Sequence, residues 1–230
     1  QNQGWQGHPS YACRADITPL MQSIENAGES VEGFWTVANI RSTVGMKNWG
    51  LAAGWTIVVV YEDPLESQKY ITLFDGYVNV NRGEESTTIS GFETVPTGPV
   101  NVEFASLSIE GDARLLGDNF RINGTNISAT KPAGVVSDIG YDNTNYFDSS
   151  ILSIDHSPDN LNNLRRFPNS LVNLGFDADH FVLDNSGNSI IDNGDTSADV
   201  IVTAPGNDQT STYFTAFSVE VIAPDLIVTK

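Results

Sequence analysis

Two short stretches concentrate the oxygen atoms that a hard cation needs. Glu110, Asp112 and Asp118 lie on one predicted loop, and Asp177 and Asp179 follow the Gly175-Phe176 pair. Carboxylates at i and i+2 of an extended segment face the same side of a sheet. Two such pairs brought together would make a calcium site; uncompensated, they would repel each other. Asp112, Asp118, Asp177 and Asp179 are therefore the metal candidates. The same residues also suit Asx turns and loop capping, which need no ion.

A third acidic stretch runs from Asp184 to Asp195. It places oxygen side chains at loop positions 1, 3, 5, 9 and 12, with an apolar residue at 8, as in an EF-hand or dockerin calcium loop. Ser189 stands where the sharp turn wants glycine, and Asp195 is shorter than the usual bidentate glutamate. No helix is predicted on either side. A polar hairpin loop explains the same residues.

Other chemistry finds little support. His8, His156 and His180 are scattered, and no nucleophile elbow, zinc-binding helix, phosphate loop or Cys-His pair is present. Paired carboxylates serve glycosidases, but a chain with 29 acidic residues places such pairs near one another by chance. The reading is a non-catalytic protein. Of the tryptophans, Trp35 and Trp55 sit in predicted strands and are assigned to the core. Trp49, in a glycine-flanked loop, is the candidate platform for stacking on a sugar. Arg165-Arg166 reads as a solvated pair. Cys13 is the single cysteine, so no intrachain disulfide forms; it is expected unpaired and at least partly buried.

The composition bounds the partners. The chain has 230 residues, 11 Lys+Arg against 29 Asp+Glu and a formal net charge of −18. Such a surface repels nucleic acid and anionic membranes, which both need neutralising Lys and Arg. It suits cations and an extracellular setting. No apolar run reaches the roughly 20 residues of a membrane-spanning helix. The chain begins at Gln1, as a processed or trimmed product would.

The elements that must position these groups are strands. The run Gly54-Trp55-Thr56-Ile57-Val58-Val59-Val60-Tyr61 is β-branched and aromatic, with no charge before Glu62. It predicts a strand buried on both faces, ending at Pro64 and returning as a hairpin through residues 69–77. Further strands are predicted at 33–40, 87–92, 100–109, 198–203 and 212–222, with a β-bulge at Ala105-Ser106 and a hairpin closed near Asn193-Gly194. Asp16 or Thr18 caps one short helix with Pro19 in its first turn. Residues 113–170 read as long decorating loops. About ten strands with little helical periodicity predict an all-β, two-sheet antiparallel sandwich, jelly-roll-like, as one domain over residues 1–223.

At these residues the chain resembles an N-terminal-type β-sandwich domain of large secreted Bacteroidetes surface proteins. The matching pieces are Ala15-Asp16-Ile17-Thr18, Phe34-Trp35-Thr36-Val37-Ala38-Asn39, the 54–64 run, Leu73-Phe74-Asp75-Gly76-Tyr77, Glu110-Gly111-Asp112, Gly117-Asp118, Leu174-Gly175-Phe176-Asp177-Ala178-Asp179 and Ala223-Pro224-Asp225-Leu226. They keep their order over nearly the whole chain. The resemblance implies strings of Ig-like repeats, type IX secretion, gliding-associated or adhesive roles at the bacterial surface, and no enzymatic activity.

The resulting expectation is a secreted structural or adhesive module of a stalk, adhesin or filament. The alternative is a calcium-assisted, lectin-like domain that binds surface glycans. Residues 224–230 form a linker and a surplus β-forming segment, Leu226-Ile227-Val228. That segment either begins a following Ig-like repeat or adds to a neighbouring copy of the chain.

Overall fold

The computed structural model describes residues 11–41, 52–109, 111–112, 115–127, 144–152 and 173–221. These are mostly strands, with one α-helix, α1 (Thr18–Asn26). Pro19 lies in its first turn, and Asp16 Oδ1 accepts the Thr18 amide at 2.9 Å. α1 buries none of its residues, so it contributes nothing to the core.

Seven strands form one sheet: β1 (Lys69–Ser90), β2 (Val102–Ile109), β3 (Asn119–Ile122), β4 (Thr125–Asn126), β5 (Ile151–Leu152), β6 (Phe176–Val182) and β7 (Ser197–Glu220). Their order is β4-β3-β7-β2-β6-β5, with β1 on the other edge of β7. Every pair is antiparallel except β5 with β6.

β7 is the spine. It pairs with β1 from Lys69↔Glu220 to Ser90↔Ser197. Midway, Arg82 alone opposes Pro205-Gly206-Asn207-Asp208. Gly206 takes φ 67° there, a backbone conformation that glycine adopts without strain. This wide bulge interrupts the ladder, so the two halves of β7 take different partners on the far edge. Residues 200–203 pair with β3 and residues 211–219 with β2. A bulge bends and twists its strand, and the sheet curls about this one.

Alternation along the strands sorts the core. Val102, Phe104, Ser106 and Ser108 of β2, Asp177, Asp179 and Phe181 of β6, and Phe217 and Val219 of β7 are all buried. The phenyl rings interlock: Phe104 meets Phe120 edge-on at 5.4 Å, and Phe120 meets Tyr146 at 4.8 Å. Burial of each such side chain stabilises by roughly 2–3 kcal/mol. The interior is apolar at the Phe104 end and polar at the Ser108 end.

Several expected elements differ. Residues 54–61 form no strand and are not buried: Val58, Val59, Val60 and Tyr61 are 44%, 54%, 54% and 78% exposed. A run this apolar is a strand only when a partner covers it, and the periodicity of the sequence does not show the partner. Residues 33–40 likewise form no strand, and Trp55 is exposed rather than in the core. Cys13 is free and exposed. There is no bulge at Ala105-Ser106, because the inward set continues through Ser106 and Ser108 while Leu107 turns outward. The register shift lies opposite, in β7 beside Leu107 and Ser108. β6 and β7 do not pair as a hairpin, since β6 sits between β2 and β5. The stretches 69–77 and 87–90 belong to the long β1, and 198–203 and 212–220 to the long β7, while the expected strand end at Gly91-Phe92 lies outside β1. A second sheet is not among the described residues.

Candidate functional site

The polar end of the interior is built by a crossing segment, residues 144–150, laid over the inner face of the sheet. It is held at both ends by carboxylates. Asp118, just before β3, accepts the Tyr146 and Phe147 amides on Oδ1 at 2.8 and 2.9 Å. Asp177 of β6 accepts the Ser150 amide on Oδ2 at 3.4 Å, and Asp148 Oδ1 accepts the same amide at 3.1 Å. Gly111 lets the segment pass, because a Cβ there would meet the Phe147 carbonyl oxygen at 2.8 Å. The Ser149 hydroxyl donates to the Gly111 carbonyl and receives the Gly175 amide. The loops carrying Asp112 and Asp177 are thus tied to one strap.

Five aspartates are buried here: Asp118, Asp148, Asp177, Asp179 and Asp208. They fall into two groups. Asp148, Asp177 and Asp179 surround the Tyr146 phenol, which bonds to Ser106 Oγ at 2.9 Å. Burial above all, then the charge of Asp179, pushes that phenol well above its ordinary pKa. Asp118 and Asp208 form the second group, hydrogen-bonded carboxyl to carboxyl. Burial, reinforced by the charge of Asp208, raises the Asp118 carboxyl to about 8. Asp208 is also raised by burial, with the charge of Asp112 adding to it, and its Oδ1 accepts the Gln209 amide at 2.8 Å.

Of the expected metal residues, Asp118 and Asp177 hold opposite ends of one strap, and the charge of Asp179 acts on the Tyr146 phenol between them. Asp112 is exposed at its rim and contributes its main-chain oxygen to Asn145 Nδ2 at 3.0 Å. Among the described residues, no three carboxylates, histidines or cysteines already converge as a metal centre. Asp148, Asp208 and Asn145 are the site residues that sequence spacing missed. The break Pro205-Gly206-Asn207-Asp208 within a β-rich stretch was the available signal for Asp208.

The 184–195 loop is a self-capped polar loop. Asn185 Oδ1 accepts the Ile190 and Ile191 amides at 2.8 and 3.0 Å, and Asp195 Oδ2 accepts the Asp192 amide at 2.8 Å. Asp184 Oδ1 takes the Ser186 hydroxyl and amide. These oxygens serve the loop's own backbone. Trp49, Glu110, Arg165, Arg166 and the segment Leu226, Ile227 and Val228 lie outside the described residues. His180 lies on the outer face of the sheet, 3.4 Å from Glu103, which also accepts Lys69 Nζ at 2.8 Å.

Fold and site together define a strand-rich domain with a curled, mainly antiparallel sheet and a buried carboxyl cluster. Comparison with protein-family models, with curated proteins and with solved structures finds no significant match.

Proposed function

We propose that this chain is a non-catalytic structural and adhesive module of a bacterial surface stalk or filament, joined to a second copy of itself by strand addition. One observation carries the reading. Among the described residues β1 has a single strand partner, β7, and the apolar run 54–61 lies exposed outside any sheet. Natural edge strands are blunted by charge. The second half of β1 follows that rule with Arg82, Glu84 and Glu85, but Tyr70-Ile71-Thr72-Leu73-Phe74 carries no charge. An unguarded edge and a surplus β-forming run in one molecule are complementary halves of a strand-addition contact. Run 54–61 of one copy pairs with residues 70–74 of the next. A contact of this heterologous kind propagates rather than closing. The resemblance to Bacteroidetes surface domains and the acidic composition support the extracellular setting.

Sedimentation velocity over a range of concentrations tests this. The expected result is reversible association that Val59→Lys abolishes, while deletion of residues 225–230 leaves it intact. If the deletion abolishes association and Val59→Lys does not, the C-terminal strand is the donor and this assignment is wrong. A monomer at all concentrations, with residues 54–61 protected, means that the run folds onto its own β1 and no assembly follows.

A further inference from the structure

We propose that the apolar run 54–61 is a belt held across the outer face of its own sheet, and that it must be released before it pairs with a neighbouring copy. The release step rests on the assembly reading above; the belt itself does not.

Gly54 fixes one end. Its backbone lies against the Phe176 ring, where a Cβ would come within 2.2 Å of Cδ2 and Cε2. Phe176 faces outward, because Asp177, Asp179 and Phe181 alternate inward along β6. Lys69, the first residue of β1, fixes the other end. Asp63 turns the chain toward it: its carbonyl oxygen accepts the Glu66 amide at 3.1 Å, and its Oδ1 accepts the Leu65 amide at 2.9 Å.

The two ends lie at opposite corners of the sheet. β2 and β7 separate β6 from β1, so the corners are about 14 Å apart across the strands. Phe176 lies opposite Ile109, whereas Lys69 lies opposite Glu220, whose amide donates to the Asn101 carbonyl at 3.2 Å. From the Ile109 row to the Asn101 row is about 26 Å along the strands. The direct path is a diagonal of about 30 Å over the outer face, and the run, when extended, supplies about 23 Å of it.

The face beneath that diagonal matches the run. Leu107 lies there with its cross-strand neighbours Ala178 and Phe214, and Ala105 follows with Ala216. All point away from the core, yet none is polar. The charged groups of this face stand to either side: Arg14 with Asp75 at 3.0 Å, and Glu103 with His180 at 3.4 Å. The run is also partly covered. Val58, Val59 and Val60 have no strand partner but are 44%, 54% and 54% exposed, whereas a bare side chain such as Phe34 is 108% exposed. A belt held by side chains leaves its own N–H and C=O groups unpaired. It is therefore held less firmly than a ladder strand, and those groups are available to the unguarded edge at residues 70–74.

Thiol labelling of the full chain tests this, with Cys13→Ser and Ala178→Cys introduced and the chain dilute enough to be monomeric. Gly54→Val drives a branched side chain into the Phe176 ring; Gly54 has no left-handed φ, so the change acts through that contact. It should speed labelling at position 178 by roughly tenfold or more. A control thiol from Glu85→Cys, exposed on the far half of β1, should label equally with and without Gly54→Val. In sedimentation, Gly54→Val should tighten association. Should Gly54→Val fail to fold, Val59→Lys should speed the same labelling by charging the belt. Unchanged labelling at position 178 overturns the belt. Faster labelling with no association at any concentration keeps the belt and removes the assembly reading. Faster labelling with weakened association overturns the release step.

Discussion

Asp118 and Asp208 are both buried in the interior of the sheet, and burial raises both carboxyls, that of Asp118 to about 8. The arrangement forms because a β7 bulge delivers one carboxyl and the loop before β3 delivers the other. Neither would be tolerated there as an isolated charge.

The first expected consequence is an inverted pH dependence. The Asp118 carboxyl rises from an ordinary 3.8 to about 8 on folding, so the native state binds the extra proton. Its contribution is intact below about 4 and is lost as pH rises through about 8. The groups facing it are Asp208 and the Tyr146 and Phe147 amides, and the charge of Asp112 acts on Asp208. Denaturant unfolding of the metal-free chain should show lower stability at pH 8.5 than at pH 5. Asp118→Asn, which keeps the acceptor for both amides, should flatten that loss. Stability independent of pH across this range would contradict it.

Glu103 predicts the opposite slope at acid pH. The hydrogen bond to His180, helped by Lys69, holds its carboxyl down to about 2 from an ordinary 4.5. Its stabilisation is complete above about 4.5 and drains away as pH falls toward 2. Glu103→Gln should cost about 1 kcal/mol at pH 7 and nothing at pH 2, read from thermal melts at both.

Phe217→Ala should be among the most damaging core changes. Phe217 is fully buried on β7 and packs on Phe92 at 5.0 Å. Truncation should cost about 3–5 kcal/mol. A loss under about 1 kcal/mol would mean that the apolar end of the interior is not packed as described.

Charge sets the fourth expectation. Two copies at −18 each repel, so added salt should strengthen association by screening. Weaker association at 0.5 M than at 0.05 M NaCl would show that ion pairs, rather than strand pairing, join the copies.

The sequence located the strand-rich class, the helix at Pro19, and three of the buried aspartates, because alternation and i, i+2 spacing are local properties. It misassigned 54–61, since an apolar run fixes a preference for burial but not the partner that buries it. It placed a bulge at Ala105-Ser106 because Leu107 and Ile109, with the opposite parity to Phe104, read as core residues, which would leave Ser106 and Ser108 facing outward. They face inward against Tyr146 and Thr212, a polar interior that hydrophobic patterning does not anticipate. Asp208 was missed because its role depends on a bulge opposite Arg82, contributed by a distant strand.

The most direct measurement of the assembly reading is amide hydrogen exchange at residues 70–74 as a function of concentration. If copies join by strand addition, edge-directed amides there, together with those of residues 54–61, should be protected in concentrated samples. They should exchange rapidly on dilution, and Val59→Lys should show the dilute pattern throughout. Exchange that is identical at high and low concentration would contradict it.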